Sequence, residues 1–276
     1  MTTATSRLSA PTPTAATTRW SRWRHLTPAR RWALRLASVA ALLLAWEIYG
    51  RLLNPILLSS PTAVVAAGFD MIADGSLPQA LGDSLVVLGL GLGFGVVIGV
   101  VLGLLAGRSE ALAALLEFPV NALYATPAVA LIPIIVLWFG FEMKAKVVVV
   151  FLFVVFPVFI NTMRGVHEVD SELVEVARTF CSNERRMWAD LILPSALPYI
   201  VTGIRIAIGR ALIGVIVAEY YTALSGLGLL IARSANAFQT ARMFVPIVVI
   251  ALLGVVLTAL LEWVEHRLAR WREAPS

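Results

Sequence analysis

Two arginines, Arg205 and Arg210, stand inside the apolar run 198–221 and are the residues of this sequence best suited to act on a solute. A planar, permanently charged guanidinium suits anions such as sulfonates, nitrate or carboxylates. Counted from Pro198 at ~1.5 Å per residue, Arg210 lies roughly 18 Å along its helix, near the middle of a bilayer. An unpaired arginine there costs about 2.5–3.5 kcal/mol, so it must face water or protein. Two readings stay open: attraction of an anionic solute, or structural pairing with an acid or carbonyls of another helix. Glu219 is a candidate acid, but it sits about half a turn away on the same helix and is reachable only on a second subunit. With Thr126, beside Pro127 in another apolar run, these residues make a candidate translocation pathway: Arg205, Arg210, Glu219 and Thr126.

Other chemistry is poorly supplied. The two lysines, Lys144 and Lys146, lack the glycine-rich lead of a phosphate-binding loop, so the sequence holds no usual ATP site. His25, His167 and His266 are scattered, and Cys181 is the single cysteine. No disulfide, metal cluster or catalytic constellation is expected, and neither is a cofactor or an enzymatic activity in this chain.

The elements that must position these residues are membrane helices. Of 276 residues, 59% are hydrophobic and 14% charged, too little polar surface for a soluble globule. Apolar runs long enough to cross a bilayer occur at about 32–53, 84–107, 111–138, 145–163, 198–221 and 243–265. An all-α polytopic membrane protein of six transmembrane helices follows. Placing both termini in the cytoplasm puts fifteen of the 22 basic residues on that side and five outside, as the positive-inside rule prefers. Residues 1–31, with six arginines and no acid, read as a disordered basic cytoplasmic tail, an anchor at the membrane rather than a nucleic-acid site.

Residues 32–80 then hold the first transmembrane helix and an outer amphipathic segment, a helix of about 14 residues from Pro61 that lies on the outer face. A core domain covers 81–270, and 271–276 form a cytoplasmic end. In its third run Pro119, Pro127 and Pro133 predict a bent or broken span. In its second, Gly91, Gly95, Gly99, Gly103 and Gly107 recur every four residues, a ridge for close helix packing, within the subunit in preference to the alternative of a subunit interface.

One stretch is out of place among these spans. Between the fourth and fifth runs, residues 168–197 carry Glu168, Asp170, Glu172, Glu175, Arg178, Glu184, Arg185, Arg186 and Asp190. Ser171 is the expected cap of a short helix with Leu173, Val176 or Ala177, and Phe180 on one face. A second helix is expected from Ser182 to Leu193, ending before Pro194. Acids outnumber arginines here, which suits a protein partner better than an anionic leaflet.

"EVARTFCSNERRMWADLILPSALP" resembles the EAA loop of ABC importer permeases. Glu175, Val176 and Ala177 match the Glu-Ala-Ala with one substitution, and Leu191, Leu193 and Pro194 match the later Ile-x-Leu-Pro; Cys181 replaces the family's turn glycine, a role that Asn183 is expected to take up. "SSPTAV", "ATPAVALIPIIVLWFG", "FPVFINTMRG", "LPYIVTGIRIAIGRALIGVIVAE" and "SGLGLLI" extend the likeness over about 55–270, to the nitrate/sulfonate/taurine branch. The resemblance implies a type I ABC importer transmembrane domain in the bacterial inner membrane, with cytoplasmic coupling helices. It implies that Glu175, Val176, Ala177 and Cys181 dock an ATPase while Leu191 to Pro194 return the chain to the membrane. Expected partners are two cytoplasmic ATPase subunits carrying ATP and Mg, a second permease in a homodimer, an extracytoplasmic solute-binding protein, and lipid. The implied cargo is a small anion of sulfonate, nitrate, taurine or aromatic carboxylate type, or alternatively a vitamin precursor such as a pyrimidine or flavin. A different class, an ion-coupled secondary transporter, needs intramembrane acids, for which Glu47, Glu117 and Glu219 are the candidates.

Overall fold

A computed structural model describes residues 28–222 and 224–268, and all regular structure among them is helical. Helices α1 (Pro28–Leu52), α2 (Pro61–Ala73), α3 (Ser76–Arg108), α4 (Glu110–Ala125), α5 (Ile132–Phe139) and α6 (Met143–His167) lead to the charged stretch. That stretch forms α7 (Ser171–Thr179) and α8 (Glu184–Arg186). From α8 the chain passes through a π-helical turn, Met187–Ile192, into α9 (Leu193–Thr222), and α10 (Leu227–Asn236) and α11 (Thr240–Leu268) follow. The basic tail expected over 1–31 lies outside the described residues up to 27, as does the terminal segment 271–276. Its boundary shifts, because α1 begins at Pro28, a residue whose fixed φ suits a first helical turn.

Among the described residues, five segments are long and apolar enough to cross a membrane: Trp32–Leu52, Ser76–Arg108, Met143–His167, Glu184–Thr222 and Thr240–Arg267. A sixth segment of that length and apolarity exists only when two helices on either side of a break are counted together. Glu110–Ala125 and Ala128–Phe139 meet at 91°. Of the three prolines only Pro127 breaks the helix: Pro119 stays inside α4 and Pro133 sits in the first turn of α5, where its missing N–H has no partner to lose. Thr126 takes the extended conformation that a following proline demands (φ −73°, ψ 131°). Its Oγ1 donates to the Ala122 carbonyl at 2.9 Å.

The core is a slab of α3, α6 and α9 built on Val87, Leu88, Val150, Val154, Val158, Ala207, Ala211 and Val215. The glycine ridge of α3 makes it possible. A Cβ at Gly91 would stand 2.5 Å from Val150 Cβ, one at Gly95 2.6 Å from Val154 Cβ, and one at Gly103 2.6 Å from Thr162 Cβ. The ridge therefore serves contact within the subunit, with α6. Gly89 and Gly93, off the ridge, meet nothing within 4 Å.

At the end of the bundle away from α7, α2 does more than lie on a surface. Ser60 caps it, and Val64, Ala67 and Met71 are buried with Leu77, Ala80, Leu227 and Val245. Asp74 accepts from the Ser76 N–H at 2.9 Å and pairs with Arg242 of α11 at 3.2 Å. Ser76 first, then Arg242, holds the Asp74 carboxyl below its ordinary range. The last turns of α1 touch this assembly: Trp46 donates to the Ser59 carbonyl at 2.9 Å and packs on Phe244 at 5.4 Å, while Glu47 accepts from Thr62.

Candidate functional site

The charged stretch folds as a projecting pair of short helices. Asp170, not Ser171, caps α7, its carboxylate accepting the Glu172 N–H at 2.9 Å; a carboxylate at that place also meets the positive end of the helix dipole. α7 closes with paired bonds, Cys181 N–H to the Arg178 carbonyl at 2.9 Å and Ser182 N–H to the Ala177 carbonyl at 3.0 Å. This reversal needs one left-handed residue. Cys181 itself supplies it, at φ 55°, and Asn183 does not, at φ −76°. Asn183 instead caps α8, accepting the Arg186 N–H at 2.9 Å.

The second helix also departs from expectation, since it does not end before Pro194. Proline at 194 cannot bond back to the preceding turn, and its ring crowds the carbonyl four residues earlier. The π-helical turn just ahead of it widens the helix there, so that one continuous segment, Glu184–Thr222, carries the projection into the membrane. Leu191 and Pro194 are half-buried at this junction and Leu193 is exposed. The projection thus joins α9 without an intervening loop.

The outward face of α7 is apolar and uncovered. Leu173 is 50% exposed, Val176 51% and Phe180 82%, whereas on the inner side Val174 packs on the cluster of Val166, Met187 and Ile192. Glu175 and Cys181 are exposed and Ala177 is half-buried. A groove of about 460 Å³ runs between α7 and the corner of α3 and α4, lined among others by Arg108, Glu110, Glu175 and Arg178. Arg108 reaches Glu184 at 3.2 Å, an exposed pair between the projection and that corner.

The in-span candidates separate rather than converge. Arg205 and Arg210 are five residues apart, so about 140° apart around α9. Arg205 turns to α11 and binds Glu265 at 2.9 Å. Arg210 turns to α4 and lies over the Tyr124 ring, 4.5 Å from its centroid, which brings it to the broken span that holds Thr126. Glu219 pairs with neither arginine. It is fully buried, and accepts from Ser84 Oγ at 2.7 Å and from the Gly228 N–H at 2.8 Å. Ser84 Oγ in turn accepts the Leu227 N–H at 2.9 Å. Lys146, 3% exposed, donates to the Ser225 carbonyl at 3.1 Å and to Ser225 Oγ at 3.0 Å. Together these bonds pin the loop before α10 to α3, α6 and α9. Gly226, at φ 103°, lies so close to Glu219 that no side chain fits there. Sequence reasoning missed Ser84, Lys146, Tyr124 and Glu265 as partners; the glycines of "SGLG" were the one local sign that something packs tightly on that loop.

Among the described residues, five helices long and apolar enough to cross a membrane, a bent pair that adds a sixth when counted as one span, and an amphipathic two-helix projection continuous with a core helix make up an all-helical membrane protein. Residues 95–270 match the family of the binding-protein-dependent transport system inner membrane component, and the chain belongs to that family. It is 36% identical to the putative aliphatic sulfonates transport permease protein SsuC of Escherichia coli (strain K12), covering 90% of this chain and 96% of that protein. It is 32% identical to the SsuC protein of Bacillus subtilis (strain 168), over 88% and 89% of the two chains. To the taurine transport system permease protein TauC of Escherichia coli (strain K12) it is 29% identical, over 92% of each. A solved structure, described as a crystal structure of an amino acid ABC transporter with histidines, shares the fold at a TM-score of 0.53 and 20% identity, covering 69% of this chain and 91% of that one. The protein is a multi-pass inner-membrane permease of type I ABC importers, in the sulfonate/taurine branch.

Proposed function

We propose that this permease translocates a small anionic solute, of the sulfonate or taurine kind, by ATP-driven alternating access. The observation that carries the reading is the uncovered apolar face of α7, Leu173, Val176 and Phe180, on a projection continuous with α9. An exposed apolar face beside charged residues marks a protein contact, and a rigid connection lets a partner's closure move a core helix. Glu175, Val176, Ala177 and Cys181 form the contact with a cytoplasmic ATPase, which binds ATP and Mg, and Leu191, Leu193 and Pro194 transmit its motion. Both termini then lie in the cytoplasm with α7. Two copies of the permease with two ATPases make the assembly, and the α2 and α10 end receives solute from a binding protein. The solute class rests on relatives whose names give aliphatic sulfonates and taurine. A further relative, 33% identical, is the formylaminopyrimidine transport permease protein ThiX of Halalkalibacterium halodurans, which keeps a pyrimidine as the second substrate reading.

Uptake into proteoliposomes holding the permease, its ATPase and its binding protein tests this. The expected result is accumulation that requires ATP and is abolished by vanadate. Uptake driven by an ion gradient without ATP would support a secondary carrier instead.

A further inference from the structure

Within the spans, the fold answers most charges internally. Arg205 has Glu265, Glu219 has Ser84 and Gly228, Lys146 has Ser225, and Glu47 has Arg51 and Thr62. Arg210 differs, because its partner is the face of Tyr124 and, among the described residues, no carboxylate lies within 4.0 Å of it. A ring face orients a guanidinium and partly offsets its charge, leaving the edge N–H groups to bind an anion.

Tyr124 belongs to a polar stripe. Glu117, Asn121 and Tyr124 recur at i, i+4 and i+7 on α4 and so share one face, which runs up to the break at Thr126. Glu117 and Asn121 are exposed, and Tyr124 and Arg210 are half-buried. Counted from Glu110 at ~1.5 Å per residue, they lie roughly 10, 16 and 21 Å along the helix, well inside the membrane. A carboxylate and a carboxamide at such depths are too costly to leave in lipid, so this face borders water or another polar surface. Irregular backbone at membrane depth, as at Thr126 and Pro127, is likewise tolerated where it lines a watery cavity.

We propose that Arg210 and Tyr124, with Asn121 one turn along the same face, form an oxyanion station on the translocation path: the guanidinium edge binds a sulfonate-type head group while the ring holds its plane. This rests on the importer reading and adds to it the residues that select for charge. The test needs no knowledge of the natural solute. Full-length permease carrying Cys181→Ser and Asn121→Cys is reconstituted and labelled with methanethiosulfonate reagents, one with an anionic ethylsulfonate tail and one with a cationic trimethylammonium tail. The station predicts faster reaction with the anionic reagent, slowed by ethanesulfonate. Adding Arg210→Gln should lower the anionic-to-cationic rate ratio about tenfold, the scale of removing one unit charge at close range in a partly hydrated site. Should Arg210→Gln not fold, Tyr124→Leu supplies the second comparison, with ethanesulfonate protection weakened because the guanidinium loses its platform. No reaction at position 121 with either reagent would show that the face is not water-lined and would overturn the proposal, as would a ratio unchanged by Arg210→Gln or protection unchanged by Tyr124→Leu. ATP-driven uptake by the wild-type assembly tests the importer reading separately, so uptake alongside an unchanged ratio sinks the station alone.

Discussion

Ser84 and Glu219, 135 residues apart in the chain, meet at 2.7 Å in the interior, and the same serine oxygen accepts the Leu227 N–H. A carboxylate is kept near the C-terminal end of α9 because it satisfies a hydroxyl and the Gly228 amide that burial would otherwise orphan. Glu219→Leu leaves both donors without a partner, at about 1–3 kcal/mol for each buried polar group. Glu219→Gln keeps an acceptor oxygen and should cost less. Melting of the purified permease in detergent should therefore rank wild type above Glu219→Gln, and Glu219→Leu last; equal melting of all three would show that the bonds do not hold α10.

The α3 ridge makes a paired prediction. Gly95→Ala places a methyl within contact of Val154, and overpacking of this kind costs about 1–3 kcal/mol. Gly93→Ala, two residues away and facing open space, should melt like wild type. Identical melting of the two variants would mean that α3 and α6 do not approach along this ridge.

Much of this was legible from the residues alone. The four-residue glycine period announced the ridge and favoured its packing within the subunit, and Pro119, Pro127 and Pro133 together announced a broken span without saying which of them breaks it, since each acts through its own backbone. What escaped was pairing over long chain separations. Glu219 looked available to an arginine because nothing local shows that Ser84 waits for it, and Arg205 carries no sign of Glu265, 60 residues on. Local competition misled as well. Asp170 and Ser171 both make good caps, and their order is decided by where the preceding helix lets the chain turn. The left-handed residue fell to Cys181 because the paired bonds closing α7 fix that position whatever side chain occupies it, and Asn183, two residues on, is already used as a cap.

That last point predicts a gain. A non-glycine residue at φ 55° is strained relative to glycine, so Cys181→Gly should stabilise the turn by up to about 1 kcal/mol once glycine's greater unfolded freedom is subtracted. Limited trypsin cleavage at Arg178 and Arg185, which flank the turn, should slow in Cys181→Gly. Faster cleavage would mean that the thiol makes a contact outweighing the strain.

The Arg205 and Glu265 side chains are 45% and 30% exposed, so their pair should contribute about 1 kcal/mol or less. Single reversals, Arg205→Glu or Glu265→Arg, place like charges together and should lower the melting temperature. The double reversal should recover most of the loss, and a double reversal no better than the sum of the singles would deny the pair a role in joining α9 to α11.

The uncovered face of α7 is the centre of the account, and co-isolation of the ATPase with the permease tests it most directly. Val176→Asp with Phe180→Asp changes two exposed side chains and should leave melting unaltered, yet it puts charge into the surface a partner must cover. The account predicts that wild-type permease carries its ATPase through purification and that this variant, equally folded, arrives without it. A variant that retains the ATPase as fully as wild type would contradict it.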